Sequence, residues 1–303
     1  MAMSGVRVVA VLLVLVFASA AMAQATLVGK LRVNGLDEAT MEPGEGARWT
    51  IAFSSSANGT PVTTFESDHE KPMHLIVVSE DLSSFAHVHP GYAPSTGVFT
   101  LDANSPSADP DNQDAARVVT RPGKHFLFAE VHPAGGAVEL QRFAVKATGQ
   151  TTPAVFVVDP PGPDGTIVKQ FDATGQPTSG PGEYRVSLQV EAMKASMVHL
   201  TFRLERRSSD GAPVGYVPVT DLEPWLGMTA HAVVVGAQGA TAADRVFRHL
   251  HSGHGAHGAR DATSPEVLFM MHGEDVPPAG PYRVWLQVKR AGRVLTLPFS
   301  FEI

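Results

Sequence analysis

The sequence predicts an all-β protein built from two tandem antiparallel β-sandwiches that follow a signal peptide. Three observations predict it. Short runs alternate apolar and polar residues, as in Trp49-Thr50-Ile51-Ala52-Phe53, Val186-Ser187-Leu188-Gln189-Val190 and Val284-Trp285-Leu286-Gln287-Val288, and a period of two marks a half-buried strand. Glycine (28) and proline (23) are abundant, cluster between the runs, and leave no window with a lasting helical stripe. The second half of the chain also repeats features of the first.

Taken in order, Arg7 precedes the apolar run Val8 to Ala18, and Ser19-Ala20-Ala21-Met22-Ala23-Gln24 supplies an Ala-x-Ala cleavage site. Residues 1–23 therefore read as a secretory signal peptide, and the mature chain is expected to begin at Gln24, in the periplasm or outside the cell. The apolar run is about half of the roughly 20 residues that a membrane span needs, so no membrane insertion is expected after cleavage. Residues 27–148 form the first predicted sandwich. Residues 149–165, with Asp159-Pro160-Pro161-Gly162-Pro163, read as a linker, and residues 166–303 form the second sandwich.

The repeat is read from several correspondences. Gly44-Glu45-Gly46-Ala47-Arg48-Trp49 is matched to Pro181-Gly182-Glu183-Tyr184-Arg185-Val186 as a turn entering a strand. Phe65-Glu66 stands before His74 at the spacing with which Leu222-Glu223 stands before His231. His74 opens the strand Leu75-Ile76-Val77-Val78, and His231 opens Ala232-Val233-Val234-Val235. Phe85-Ala86-His87-Val88-His89 answers Phe247-Arg248-His249-Leu250-His251, and Pro122-Gly123 before Phe128 answers Ala279-Gly280 before Trp285. For two such copies, immunoglobulin-like topology is expected.

Composition narrows the chemistry. Lys+Arg 23 against Asp+Glu 30 gives a net charge of −7, the wrong sign for nucleic acid. Zero cysteines exclude disulfides, thiol catalysis, iron–sulfur clusters and thiolate-ligated zinc or copper. Any metal must be held by His, Met, Asp, Glu or backbone.

Three histidines in each half fall at matching places: His74, His87 and His89, then His231, His249 and His251. Residues i and i+2 of a strand share a face, so a His-x-His turns both rings to one ion, and a histidine on the neighbouring strand completes a trigonal set. Glu66 and Glu223 are candidate additional groups beside these sets, or solvated strand residues. Met73 and Met228 lie close in sequence to His74 and His231, and Met270-Met271 precede His272, so thioethers and a further imidazole are candidates for a copper site. Met193, Met197 and Met270 also read as core filler. The loop from His249 through His254 and His257, with its glycines, is a His-rich tract suited to loose metal capture.

Lys71-Pro72-Met73-His74-Leu75-Ile76-Val77-Val78-Ser79-Glu80-Asp81-Leu82, Phe85-Ala86-His87-Val88-His89-Pro90 and Pro122-Gly123-Lys124-x-Phe126-Leu127-Phe128-Ala129-Glu130 resemble secreted bacterial YtkA-like and FixH-like β-sandwich domains, which often travel with copper-handling proteins. The resemblance covers nearly all of the first domain. The second matches more loosely, with Ser252 in place of Pro90 and a longer insert before its His-x-His. An extracytoplasmic metal-binding or accessory role is implied, without catalytic residues.

The leading expectation is an exported metal-binding protein, with copper as the ion and zinc as the alternative, that buffers, carries or helps deliver it to another copper-handling envelope protein. A structural or protein-binding envelope module without metal is the second reading. A His-ligated copper/zinc enzyme resembling superoxide dismutase is the third; the chain lacks the cysteines of that family's disulfide and a further His/Asp constellation for the second metal, so no enzymatic activity is expected.

Overall fold

The structure, a computed structural model, describes residues 26–152, 154–192, 196–208, 215–252 and 264–303. Residues 1–23, expected to be a signal peptide, Met193, and His254 and His257 of the His-rich loop lie outside the described residues.

In the first half, β1 (Leu27–Val33), β3 (Ala47–Ser55), β9 (Val98–Ala103) and β8 (Gly91–Ala93) form one sheet in that order, with β4 (Pro61–Val62) beside β3. The facing sheet runs β2 (Thr40–Met41), β11 (Glu139–Ala147), β10 (Gly123–Pro133), β6 (Met73–Ser79) and β7 (Phe85–Val88), with β5 (Phe65–Glu66) on β10. All these pairs are antiparallel except β2 with β11. This is the immunoglobulin-like arrangement of a five-stranded sheet facing a six-stranded one that contains the hairpin-linked pair β10–β11. The core forms because alternate residues of both sheets point inward: Trp49, Ile51 and Phe53 from β3, Phe99 from β9, Leu75 and Val77 from β6, and Leu127 from β10 are all buried.

The second half places β12 (Ile167–Phe171), β13 (Tyr184–Ala192), β14 (Met197–Arg207) and β18 (Glu266–His272) in one sheet, with β15 (Tyr216–Pro218) also on β14. The other sheet is β17 (Phe247–His251), β16 (Ala230–Gly236), β19 (Pro281–Arg290) and β20 (Arg293–Glu302). By pairing, β16, β17, β19 and β20 answer β6, β7, β10 and β11, while β14 and β18 answer β3 and β9. This changes one correspondence. The strand entered at Gly182-Glu183 is β13, whose topological partner in the first half is β1 rather than β3, and β12 is an added edge strand. A turn running into a strand occurs at every strand and so fixes no register.

Both halves use the same sheet to meet each other. In a one-faced sheet, β6 and β16 would alternate between buried and exposed, yet all seven residues of each are buried. Met73, Leu75 and Val77 face the first sandwich core, and Ala230, Ala232 and Val234 face the second. Their neighbours Ile76, Val78, Val233 and Val235 join Phe126, Phe128, Phe247 and Trp285 in a third apolar cluster between the domains. Phe128 stacks on Phe247 with centroids 4.4 Å apart, and Phe85 stacks on Trp285 at 4.7 Å. Arg245 donates to the Glu80 carbonyl at 2.6 Å and Arg283 to the Leu82 carbonyl at 2.7 Å, fixing the polar rim. The linker lies along this seam: Phe156 packs on the third cluster, Ala154 N donates to Asp81 Oδ2, and Asp159 N donates to the Ser300 carbonyl. Among the described residues, no helix is long and apolar enough to cross a membrane.

Candidate metal centre

The alternation that buries the third apolar cluster also places the histidines. His74 is two residues before Ile76 on β6, and His231 is two before Val233 on β16, so both project from the face that meets the other domain. The neighbouring hairpin strands bring the other rings level: Leu75 pairs with Val88 in the first domain, and His231 pairs directly with His251 in the second. In each triad, His74 with His87 and His89, and His231 with His249 and His251, one candidate ligand atom per ring lies within 4.8 Å of the others.

The triads meet. Ring centroids within them are 4.4 to 5.5 Å apart. Across the domain boundary, His249 is 5.0 Å from His87 and 5.3 Å from His74, and His87 is 6.1 Å from His231. A seventh imidazole, His69, lies 3.8 Å from His251. It comes from the turn Asp68–Lys71 ahead of β6, whose counterpart Trp225–Met228 contributes Trp225 instead, 4.9 Å from His231 and 5.4 Å from His87.

Hydrogen bonds orient two of the rings, His87 and His249, from the opposite domain. Glu130 on β10 and Gln287 on β19 occupy matching positions, paired with His74 and His231 respectively. Glu130 Oε2 lies 2.6 Å from His249 Nδ1, and Gln287 Oε1 lies 2.8 Å from His87 Nδ1. The Gln287 amide nitrogen donates to Thr296 Oγ1, so its carbonyl oxygen faces His87 and accepts from Nδ1–H. His74 Nε2–H donates to the Asp68 carbonyl at 2.9 Å. In neutral rings, this leaves lone pairs on His74 Nδ1 and His87 Nε2, which face each other at 3.1 Å. Two acceptors at that distance repel unless a cation sits with them. Both ring nitrogens of His89 and of His231, and Nε2 of His249, are buried with no hydrogen-bond partner. A buried nitrogen left unpaired costs about 1–3 kcal/mol, so several together call for a ligand. The donor set fits a borderline-soft transition ion bound by neutral imidazoles.

Burial keeps these rings neutral. It lowers the pKa of His74, and lowers those of His87, His89, His231 and His249 well below the ordinary value, with neighbouring histidines adding to the effect. Burial also pushes Glu130 up to about 7, against the pull of His74. The backbone is held as well: His87 N donates to Asp114 Oδ2, and His89 N to Asn112 Oδ1, covering the open edge of β7.

The other sequence candidates fall elsewhere. Met73 faces the first sandwich core, one residue out of phase with His74. Met228 is buried in the turn it closes with Trp225. His272 ends β18 on the far sheet of the second sandwich, exposed and 6.3 Å from His199. Met197 and Met270 are half-buried, whereas Met271 fills the core. Glu66 accepts from Gly135 N and Glu223 from Gly292 N, so their equal spacing serves equivalent hairpin turns rather than the histidines. The sulfur-based argument for copper therefore has no support in the centre's geometry.

Comparison with known proteins adds the repeat. The profile of a family described as "Domain of unknown function (DUF8832)" matches residues 26–149 and again residues 178–303. The second match starts after β12, in keeping with β13 as the partner of β1. No match was found among curated proteins. Among solved structures, a chain from a study of host cell surface retention of a 1.5-MDa bacterial ice-binding adhesin is 9% identical over 92% of this chain and 98% of that solved chain, with a TM-score of 0.22. The I67-I69 fragment of the titin I-band is 11% identical over 92% and 99%, with a TM-score of 0.19.

Proposed function

The chain belongs to the DUF8832 family, of which it carries two copies, and we propose that these copies together make an exported copper-binding protein that buffers, carries or helps deliver the ion. The observation that carries this reading is the facing pair His74 Nδ1 and His87 Nε2, each left with a lone pair by the partner of its other nitrogen. Ligating histidines characteristically donate their second N–H to a carbonyl or carboxylate, and that is what these rings do with Asp68, Gln287 and Glu130. Copper is favoured over zinc because divalent copper heads the affinity order for nitrogen donors. The resemblance of the first half to exported copper-associated domains points the same way, as does the cleavage site at Ala21-x-Ala23. The protein is read as periplasmic, serving another copper-handling envelope protein without turnover.

Elemental analysis of natively purified protein, dialysed against a weak chelator, tests the proposal. Retained copper is expected. Metal-free protein after that treatment would overturn it and leave an envelope module built for protein contacts.

A further inference from the structure

The two triads could be separate sites of one duplicated domain, yet the distances argue otherwise. Rings of different triads approach as closely as rings of one: 5.0 Å for His87 and His249, against 5.5 Å for His231 and His249. The orienting bonds are also crossed, since Glu130 of the first domain holds His249 of the second and Gln287 of the second holds His87 of the first. Neither half carries a complete site with its own supports. Each triad supplies three nitrogens, the set that leaves one position on a tetrahedral ion open, and the triads face one another across the seam.

Building on the proposed metal-binding role, we propose that the six histidines form a single dinuclear centre shared by both domains, whose two ions take a small bridging anion such as hydroxide or azide between their open positions. Charge supports this. Among the described residues, Glu130 is the carboxylate seen bonded to one of the six rings, His249; two divalent ions among neutral imidazoles carry more charge than it offsets, and a bridging anion supplies part of the balance. Apolar residues seal the seam beyond it, with Ile76, Val233, Phe128 and Phe247 excluding water from that side.

The test uses the whole mature chain loaded with copper(II). Copper per chain is measured by elemental analysis, and the paramagnetic signal by integrated electron paramagnetic resonance, before and after azide. Two coppers per chain with most of the expected signal missing through coupling, and an optical band that changes with azide, is the expected result. The triple variant H231A/H249A/H251A should hold one copper at full signal. Two coppers at full signal, or one copper per wild-type chain, would overturn the shared dinuclear centre while leaving metal binding in place. No bound copper would remove the proposed function itself.

Discussion

Acidification of the metal-free protein should loosen it steeply, and the buried imidazoles set the size of the effect. His74, His87, His89, His231 and His249 all titrate below their ordinary value in the folded protein because burial disfavours the imidazolium. In the unfolded chain they return to about 6.5. Groups with depressed folded values stabilise the fold above the unfolded pKa, and that stability is lost as pH falls below it. Glu130 works in the opposite sense, since its folded value of about 7 lets the folded state take up a proton between that pH and the ordinary carboxyl range. Well below pH 6.5 the unfolded chain thus gains up to about four more protons than the folded one. At about 1.4 kcal/mol per proton per pH unit, the fall in stability steepens below pH 6.5 towards a limit of about 5 kcal/mol per unit. A domain holds about 5–15 kcal/mol in all, so within about two pH units the seam between the domains opens or the fold melts. Thermal melts in chelator from pH 7.5 to 5 measure this, and H231A/H249A/H251A, which removes His231 and His249 from the five, should show about half the slope. A melting temperature unchanged by acidification, or equal slopes in the two proteins, would refute the reasoning.

Other consequences can be checked separately. Gln287→Leu leaves His87 Nδ1–H without its acceptor, and chelator competition should show copper affinity lowered about 10–100-fold although Gln287 lies in the second domain and His87 in the first. Trp285→Ala removes a side chain stacked on Phe85 across the seam and should cost about 3–5 kcal/mol in denaturant unfolding. Glu223→Ala removes the acceptor for Gly292 N and should cost about 1 kcal/mol without changing copper content, which elemental analysis would verify. Mass spectrometry of exported protein should find Gln24 at the amino terminus; an intact Met1 in the membrane fraction would contradict export and cleavage.

The sandwiches and the triads were legible in the sequence because both are local signals: period two for the strands, and a His-x-His with an upstream histidine for each triad. Their convergence is a different kind of fact. It was encoded in His74-Leu75-Ile76-Val77-Val78 and in His231-Ala232-Val233-Val234-Val235, where the lack of polar alternation marks strands buried on both faces. Read as ordinary one-faced strands, they hide the domain interface. Glu130 and Gln287 carry no motif, and their partners lie 119 and 200 residues away, although each sits two residues beyond the repeated aromatic, Phe128 or Trp285. His69 escaped the repeat because its turn is matched in backbone by Trp225–Met228 and not in chemistry. Met73 misled because adjacency in a strand places two side chains on opposite faces.

A crystal structure of the copper-loaded protein, with anomalous differences collected on both sides of the copper absorption edge, tests the central claim most directly. Copper peaks at the seam are predicted, within about 2.0–2.1 Å of ring nitrogens of His74, His87 and His89 and of His231, His249 and His251, as for imidazole bound to a first-row ion. Peaks confined to other parts of the surface, or an empty seam in protein saturated with copper, would contradict it.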